Sequence, residues 1–338
     1  MSNYQQQRYL LMTLDPVHIG TGGYRLGRVD LTIVREPGTN VPKLPGTGFS
    51  GASRSYAACL YEKPDCAGKG GLAGEKYCDT LETCPICYTF GRTKGTISYA
   101  GTVSLFDAHI LLFPVHSMAG PVWVGTKQRL EEAGFTVLLP TGGEEAPAQE
   151  EKIFLTWDWN KPLNLGWVLL DVAPGKVNVT PPTGSDWANQ NQWKAIQNRI
   201  VLVDERLFSQ IVNSNLEVRT SVSINPATGA AEEGALFTYE AIPRATFLYC
   251  DVVMDDYHQG LKPWSSGPVT KKYTPNGGDN KGASLGQTWN NPLDVVKTGL
   301  KMAEWLGIGG MGTRGFGRIR IVGEPWNVPL SITQEVQQ

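Results

Sequence analysis

Helical periodicity is scarce in this 338-residue chain, and its placement limits what the chain can fold into. Thr47–Leu60 (TGFSGASRSYAACL) opens on a cap-like threonine and brings Phe49, Ala52, Ser53, Tyr56 and Leu60 to roughly helical spacing. Pro292–Leu306 opens on proline and repeats Leu293, Val296, Leu300, Ala303 and Leu306 at three- and four-residue steps. These are the two main helices expected, with a shorter capped one over Asp204–Val212. Elsewhere 39 glycines and 22 prolines punctuate the chain, which predicts many turns and short strands.

The expected strands are Arg8–Leu14, Val29–Val34, one or two within Thr102–Val115, Leu216–Ile224, Arg244–Met254 and Phe316–Val322. Asn225–Gly229 (NPATG) is a turn that makes Leu216–Ile224 the first arm of a protruding hairpin. Three stretches interrupt this pattern: 61–96, which breaks all periodicity and holds four of the six cysteines; 135–200, read as irregular surface loops; and 258–291, rich in Gly, Asn, Lys, Ser and Pro, read as a mobile connection. The order strand, helix, strands, helix, strand is that of an α+β fold of the ferredoxin-like or RNA-recognition-motif kind with large insertions, all in one domain over 1–338.

Composition narrows the function classes. With 41% hydrophobic and 18% charged residues the chain is globular. No apolar run is long enough for a membrane span, and the N-terminal residues lack the pattern of a secretory signal, so a cytoplasmic protein with no membrane partner is expected. A net charge of −2 gives no global case for binding a polyanion. Residues 1–60 differ: Arg8, Arg25, Arg28, Arg35, Lys43 and Arg54 outnumber Asp15, Asp30 and Glu36, a local excess that suits a phosphate backbone.

Cys66, Cys78, Cys84 and Cys87 follow the pattern C-x11-C-x5-C-x2-C, ending in CPIC. The close pair can supply two thiolates to one tetrahedral ion, and zinc is the expected occupant. Disulfides and four unconnected cysteines are the alternatives, the first disfavoured in a cytosolic chain and the second by the clustering. Four thiolates leave no open position for water, so such a site is structural. Cys59 and Cys250 are read as ordinary core residues. Near the C-terminus, GMGTRG (Gly310–Gly315) matches G-x-G-x-x-G in form only, because a helix precedes it and a strand follows. The loop can still offer backbone N–H groups to phosphates from Gly309, Gly310 and Gly312, with Arg314 as a charged donor. GTGFSGAS imitates a phosphate loop, but Ala52 stands where the lysine would be, which argues against nucleotide hydrolysis.

Taken together, DPVHIGTGG, VDLTIVRE, VPKLPGTGFSGASRS, SLFDAHILLFPVHSMAGPVWV, LEVRTSVSINPATGAAEEGALFTYEAIP and IGGMGTRGFGRI resemble the backbone subunit of type III CRISPR effector complexes, of the repeat-associated mysterious protein (RAMP) superfamily. The likeness runs in order from Leu11 to Ile319. The middle and hairpin segments are similar to type III-B subunits. The cysteine insertion is similar to those of types III-A, III-D and III-E, which leans toward a III-D-like complex. The resemblance implies an RNA-recognition-motif palm, a β-hairpin thumb over 216–243, and polymerisation with other type III subunits along a CRISPR RNA. It also implies that thumbs flip nucleotides out of the guide and target duplex.

In the family, the aspartate matching Asp30 is needed to cleave target RNA beside each flipped nucleotide, with Mg²⁺ or a similar divalent ion present. Asp30 as general base or as holder of that ion, and His18 as an orienting or assisting group, form the expected catalytic set. Arg28, Arg35, Arg54, Arg314 and the glycine loop form the expected RNA-binding set. One departure stands out: where the family's first helix begins with Lys-Gly, this chain has Ser50. Three functions follow: an endoribonuclease subunit leaving a 2′,3′-cyclic phosphate, a silent structural RNA-binding subunit of the same assembly, or an unrelated zinc-stabilised β-rich protein.

Overall fold

The computed structural model describes residues 3–22, 29–68, 84–94, 97–140, 152–232, 234–257, 269–270 and 288–329. Arg28, Cys78 and most of the connection over 258–291 lie outside the described residues. The elements that matter for function are, in chain order, β1 (Asn3–Thr13), α1 (Gly46–Leu60), β2 (Ala108–Ser117), β3 (Gly120–Gly125), β4 (Ile200–Leu202), α2 (Glu205–Ser214), β5 (Glu217–Ser221), β6 (Phe237–Ala241), β7 (Phe247–Asp256), α3 (Pro292–Leu306) and β8 (Ile319–Ile321).

One large mixed sheet organises the α/β fold. Its strands run in the order Val172–Lys176, Ile153–Leu155, β4, β3, β2, β7, β1, β8. The pairs β2–β7, β7–β1 and β1–β8 are antiparallel, whereas β4 joins β3 in parallel. β1 starts earlier than its apolar pattern predicts, because its glutamine-rich first half is held by the ladder to β7 from Asn3 opposite Asp256 onward. Side chains of a strand alternate between faces, and here both faces are covered. Tyr9 and Leu11 join Leu248, Cys250 and Val252 in one core cluster, while Leu10 joins Leu111, Phe247, Trp187 and Trp193 in the other.

α1 and α3 cover the first of these faces through Phe49, Leu293, Val296 and Leu300. α3 begins with a capping box: the Asn291 side chain accepts from the Leu293 and Asp294 amides, and the Asp294 carboxylate accepts from the Asn291 amide, with Pro292 at the first helical position. The helices touch at Gly299, where a Cβ would lie 2.2 Å from the Ser53 carbonyl oxygen and 2.6 Å from its hydroxyl. Ser53 Oγ in turn donates to the Val296 carbonyl at 3.0 Å.

Three expectations from sequence need correction. The stretch read as surface loops over 135–200 supplies two strands of the sheet and buries Phe135, Trp187 and Trp193 in the second core cluster. Its strands are too short to show a period, so triplets such as IFL and LNL read as irregular. Val29–Val34 is not a continuous strand: Leu31 bridges Tyr239 while Ile33 bridges Gly20, so alternate residues have different partners. Cys59 is exposed on the solvent side of α1, whereas Cys250 is buried. Among the described residues, no helix is long and apolar enough to cross a membrane.

The Gly299 contact yields a prediction. Alanine gains up to about 1 kcal/mol of helix propensity over glycine, but its methyl would collide with rigid backbone, and such overpacking costs about 1–3 kcal/mol. Gly299→Ala is therefore expected to lower the urea midpoint of unfolding, whereas the exposed Gly51 of α1, with open space around it, is expected to tolerate alanine.

Candidate functional site

The site is built along one edge of β6. Along a strand, alternate residues turn their N–H and C=O groups to the same side. The opposite edge of β6 is the hairpin ladder to β5, with Thr220 opposite Thr238 and Val218 opposite Glu240. On the near edge, Thr238, Glu240 and Ile242 present backbone groups that buried structure has to satisfy. Ile242 exchanges two hydrogen bonds with Val17, its amide donating at 3.0 Å and its carbonyl accepting at 2.8 Å. The Glu240 amide donates to the Leu31 carbonyl at 3.2 Å, and the Thr238 carbonyl accepts from the Leu31 amide at 3.1 Å.

Two groups on that edge remain, and side chains take both. His18 Nδ1 lies 2.7 Å from the Glu240 carbonyl oxygen, which can only accept, so Nδ1 carries the proton of this bond. The Thr238 amide donates to Asp30 Oδ2 at 2.7 Å. Thr238 Oγ1 donates to the same oxygen at 2.9 Å and lies 3.1 Å from the Asp30 amide, from which it accepts. The two donations, the amide's above all, hold the Asp30 carboxyl below its ordinary range. Among the described residues no donor is paired with Oδ1. Asp30 is half-buried, whereas His18 is only 5% exposed.

The glycine loop closes against the same histidine. The Gly310 amide donates to the His18 carbonyl at 2.9 Å. At Gly309, where φ is +79°, a Cβ would sit 2.5 Å from that oxygen, so both the backbone conformation and the close approach require glycine. Gly312 begins the 3₁₀ turn Gly312–Arg314 and is exposed. Loop and hairpin are stitched by rings: Phe316 meets Tyr239 edge-on at 5.4 Å, Arg219 of β5 lies 4.6 Å over Phe316, and Arg314 lies 5.3 Å over Phe237. Arg314 is exposed and can reach a ligand phosphate from its ring platform, whereas Arg219, also exposed, has its guanidinium on the Glu217 carboxylate at 2.6 Å.

Two of the expected RNA-binding arginines have other work. Arg35 spends its guanidinium on the Glu240 carboxylate at 2.6 Å, the Ile33 carbonyl at 3.1 Å and Asn213 Oδ1 at 2.9 Å. The same Glu240 oxygen accepts from the Ile33 amide at 2.9 Å. Arg54 reaches from α1 to the carbonyls of Cys66 at 2.7 Å, Gly91 at 2.9 Å and Phe90 at 3.4 Å. Arg35 braces the site, and Arg54 braces the cysteine insertion against α1. The residues that sequence reasoning missed are Thr238, Glu240, Arg219 and Phe316. The only signal for them was the alternation in the arms LEVRTSV and LFTYEA, which says which residues share a face but not what they meet.

Cys66, Cys84 and Cys87 are buried together, with all three sulfur atoms within 4.8 Å of one another. The Cys66 and Cys84 sulfurs are 3.8 Å apart, too far for a disulfide. A tetrahedral ion with bonds of about 2.3 Å sets its sulfurs about 3.8 Å apart, so this cluster could hold a metal. Among the described residues it is the only group of three or more His, Cys, Asp or Glu side chains so placed, and Asp30 belongs to no such set.

Comparison with known proteins gives the family of the chain. A profile of the RAMP superfamily matches residues 10–320, and the chain belongs to that superfamily. Within it, the chain is 31% identical over 288 residues to the CRISPR system Cmr endoribonuclease Cmr4 of Pyrococcus furiosus, a match that spans 80% of this chain and 90% of that one. Among solved structures, chains of type III-B Cmr-beta superpose in the apo state with a TM-score of 0.57, covering 94% of this chain and 96% of that chain at 14% identity. In the form bound to cognate target RNA the TM-score is 0.56, with 94% and 97% covered, again at 14% identity. At such identities the superposition speaks for the fold.

The geometry makes Glu240 a shared anchor of the site, its carboxylate 9% exposed and bonded by both Ile33 and Arg35. Removing one partner of a buried ion pair costs about 3 kcal/mol or more. Glu240→Ala is expected to lower stability by that order in chemical denaturation, and Glu240→Gln, which still accepts from Ile33, by less.

Proposed function

We propose that this chain is a backbone subunit of a type III CRISPR ribonucleoprotein, that it binds CRISPR RNA and complementary target RNA beside the other subunits, and that it cleaves the target through Asp30. One observation carries the reading: Asp30 is a fixed carboxylate with one oxygen unengaged by the described residues, set on a hairpin and beside a glycine loop that bears exposed arginines. The relative from Pyrococcus furiosus, named an endoribonuclease, supports it. The strand order β8–β1–β7–β2, all antiparallel, with α1 following β1 and α3 following β7, is that of a ferredoxin-like, RNA-recognition-motif palm. The hairpin of β5 and β6 is the thumb.

The chemistry follows from alignment. Splaying a nucleotide out of an A-form duplex swings its ribose 2′-hydroxyl in line with the adjacent phosphate, and holding that geometry can supply several kcal/mol, up to roughly 7–11 in ideal cases. Asp30 Oδ1 accepts the hydroxyl's hydrogen bond and takes its proton as the 2′-oxygen bonds to phosphorus. The bond from phosphorus to the 5′-oxygen breaks, and that oxygen takes a proton from solvent water, giving a 2′,3′-cyclic phosphate and a 5′-hydroxyl. Because the Thr238 bonds favour the ionised form of Asp30, it is a weaker base than an unbonded carboxylate. Its main contribution is then a fixed charge that orients the hydroxyl. His18, buried with Nδ1 committed to Glu240, orients the loop and transfers no proton. A Mg²⁺ ion commonly takes one or two carboxylates together with substrate phosphates, and among the described residues Asp30 would be the one carboxylate to hold it.

The cysteine cluster fits structural zinc, with Cys66, Cys84 and Cys87 as three ligands and Cys78, outside the described residues, as the fourth. Zinc would hold the insertion over 61–96 closed, and Arg54 would tie it to α1. Arg28, also outside the described residues, remains a phosphate ligand in this reading together with Arg314.

A second reading has its own support. The double bond from Thr238 also makes Asp30 look like a structural latch in a catalytically silent subunit. Mapping cuts on a labelled target with assembled complexes separates the two. Asp30→Asn keeps an acceptor for Thr238 and loses the charge, so guide and target binding should persist while cleavage opposite this subunit falls by roughly 10²–10⁴. An unchanged ladder would establish the silent subunit. For the metal, elemental analysis should find about one zinc per chain, and Cys84→Ser with Cys87→Ser should lose it together with thermal stability, since such sites contribute roughly 10 kcal/mol or more.

A further inference from the structure

We propose that Thr238 is the positioning residue for Asp30: its hydroxyl and amide aim the carboxylate so that Oδ1 alone faces the RNA. The inference rests on the catalytic reading of Asp30 given above and goes beyond it to the residue that makes the carboxylate productive.

The geometry is reciprocal. Thr238 grips the Asp30 backbone and side chain at once, with its hydroxyl accepting from the Asp30 amide at 3.1 Å while donating to Oδ2 at 2.9 Å, and with its own amide donating to Oδ2 at 2.7 Å. Three bonds between two residues leave the carboxylate no rotation about its side-chain axis without losing one of them. A β-branched threonine is itself stiff about χ1, so its hydroxyl is presented in one direction. Leu31, the next residue, is paired with both Thr238 and Glu240 through the backbone, which holds Asp30 in register with the hairpin. A slip of one residue along β6 would bring the aromatic Phe237 or Tyr239 to Asp30 in place of the hydroxyl. The other expected catalytic residue is held two positions further along, where the Glu240 carbonyl meets His18 Nδ1. The hairpin and the cleaving carboxylate are thus one rigid unit, and thumb placement on the duplex sets where Asp30 points.

A purely structural threonine makes a different forecast, so kinetics can decide. Thr238→Val is nearly isosteric, suits a strand, and removes only the hydroxyl bonds. In the assembled complex carrying its guide RNA, it should lower kcat for target cleavage at this subunit by about 10- to 100-fold, the loss expected from a small misplacement of a reacting group. KM and target binding should stay within about twofold, because no RNA contact is lost. Thr238→Ser restores the hydroxyl without the methyl and should recover most of the rate. In an Asp30→Ala background, Thr238→Val should cost nothing more, since Thr238 acts only through Asp30. Wild-type kcat in Thr238→Val, a slow Thr238→Ser, a raised KM, or an equal loss in the Asp30→Ala background would each overturn the proposal. If Asp30→Ala itself cleaves normally, the catalytic reading of Asp30 fails first, and the two failures remain distinct.

Discussion

The near edge of β6 is the constraint on which the site depends. Thr238, Glu240 and Ile242 offer three amides and three carbonyls there, and no continuous strand lies alongside to pair them. Leaving such groups unmet in a buried setting costs of order 1–3 kcal/mol each. The loop after β1 therefore folds back in two arms, one at Val17 and His18 and one at Asp30 and Leu31. Between them these arms satisfy the edge with backbone from Val17 and Leu31 and side chains from His18 and Asp30. The residues with chemistry are thus where the ladder runs out. A side chain standing in for a strand is held as firmly as a strand, which is what a positioned carboxylate requires.

The second consequence is that the glycine loop has a fixed place to land. His18, pinned by its ring, turns its carbonyl to the Gly310 amide, and the fit is close enough that Gly309 admits no Cβ. Phe316 at the end of the loop then packs on Tyr239 of the hairpin, and Arg219 and Arg314 lie over aromatic faces. Segments from both ends and the middle of the chain meet at β6. An exposed guanidinium group held over a ring, as that of Arg314 is, loses less freedom on binding a phosphate than a mobile one, so a modest number can act in a protein whose overall charge is slightly negative.

A similar economy governs the far side of α1. Arg54 spends its donors on the carbonyls of Cys66, Phe90 and Gly91, which joins the cysteine cluster to the helix that packs on α3. Whatever closes the cluster also steadies α1. The arginine is thereby part of the scaffold, although its position in a basic N-terminal region had marked it as a phosphate ligand. Arg35 shows the same thing on the other side, neutralised by a glutamate more than 200 positions away.

How much of this was legible in the sequence depends on the range of the interaction. The helices, read as Thr47–Leu60 and Pro292–Leu306, the hairpin turn and the cysteine spacing are local patterns of period, cap and turn, and the residues alone determined them. The same holds for the quoted segments that carry the family likeness, including Asp30 and the glycine loop. Short strands were missed: triplets such as Ile153–Leu155 have no room for a period, and their partners across the sheet decide that they are strands at all. The same limit hid Thr238 and Glu240, because nothing near them in the chain shows that an aspartate and a histidine from the first loop will complete their hydrogen bonds. Arg35 and Arg54 looked like free charges for the same reason. Sequence records which groups are available, whereas only the folded chain brings their partners within 3 Å and so decides which remain for RNA.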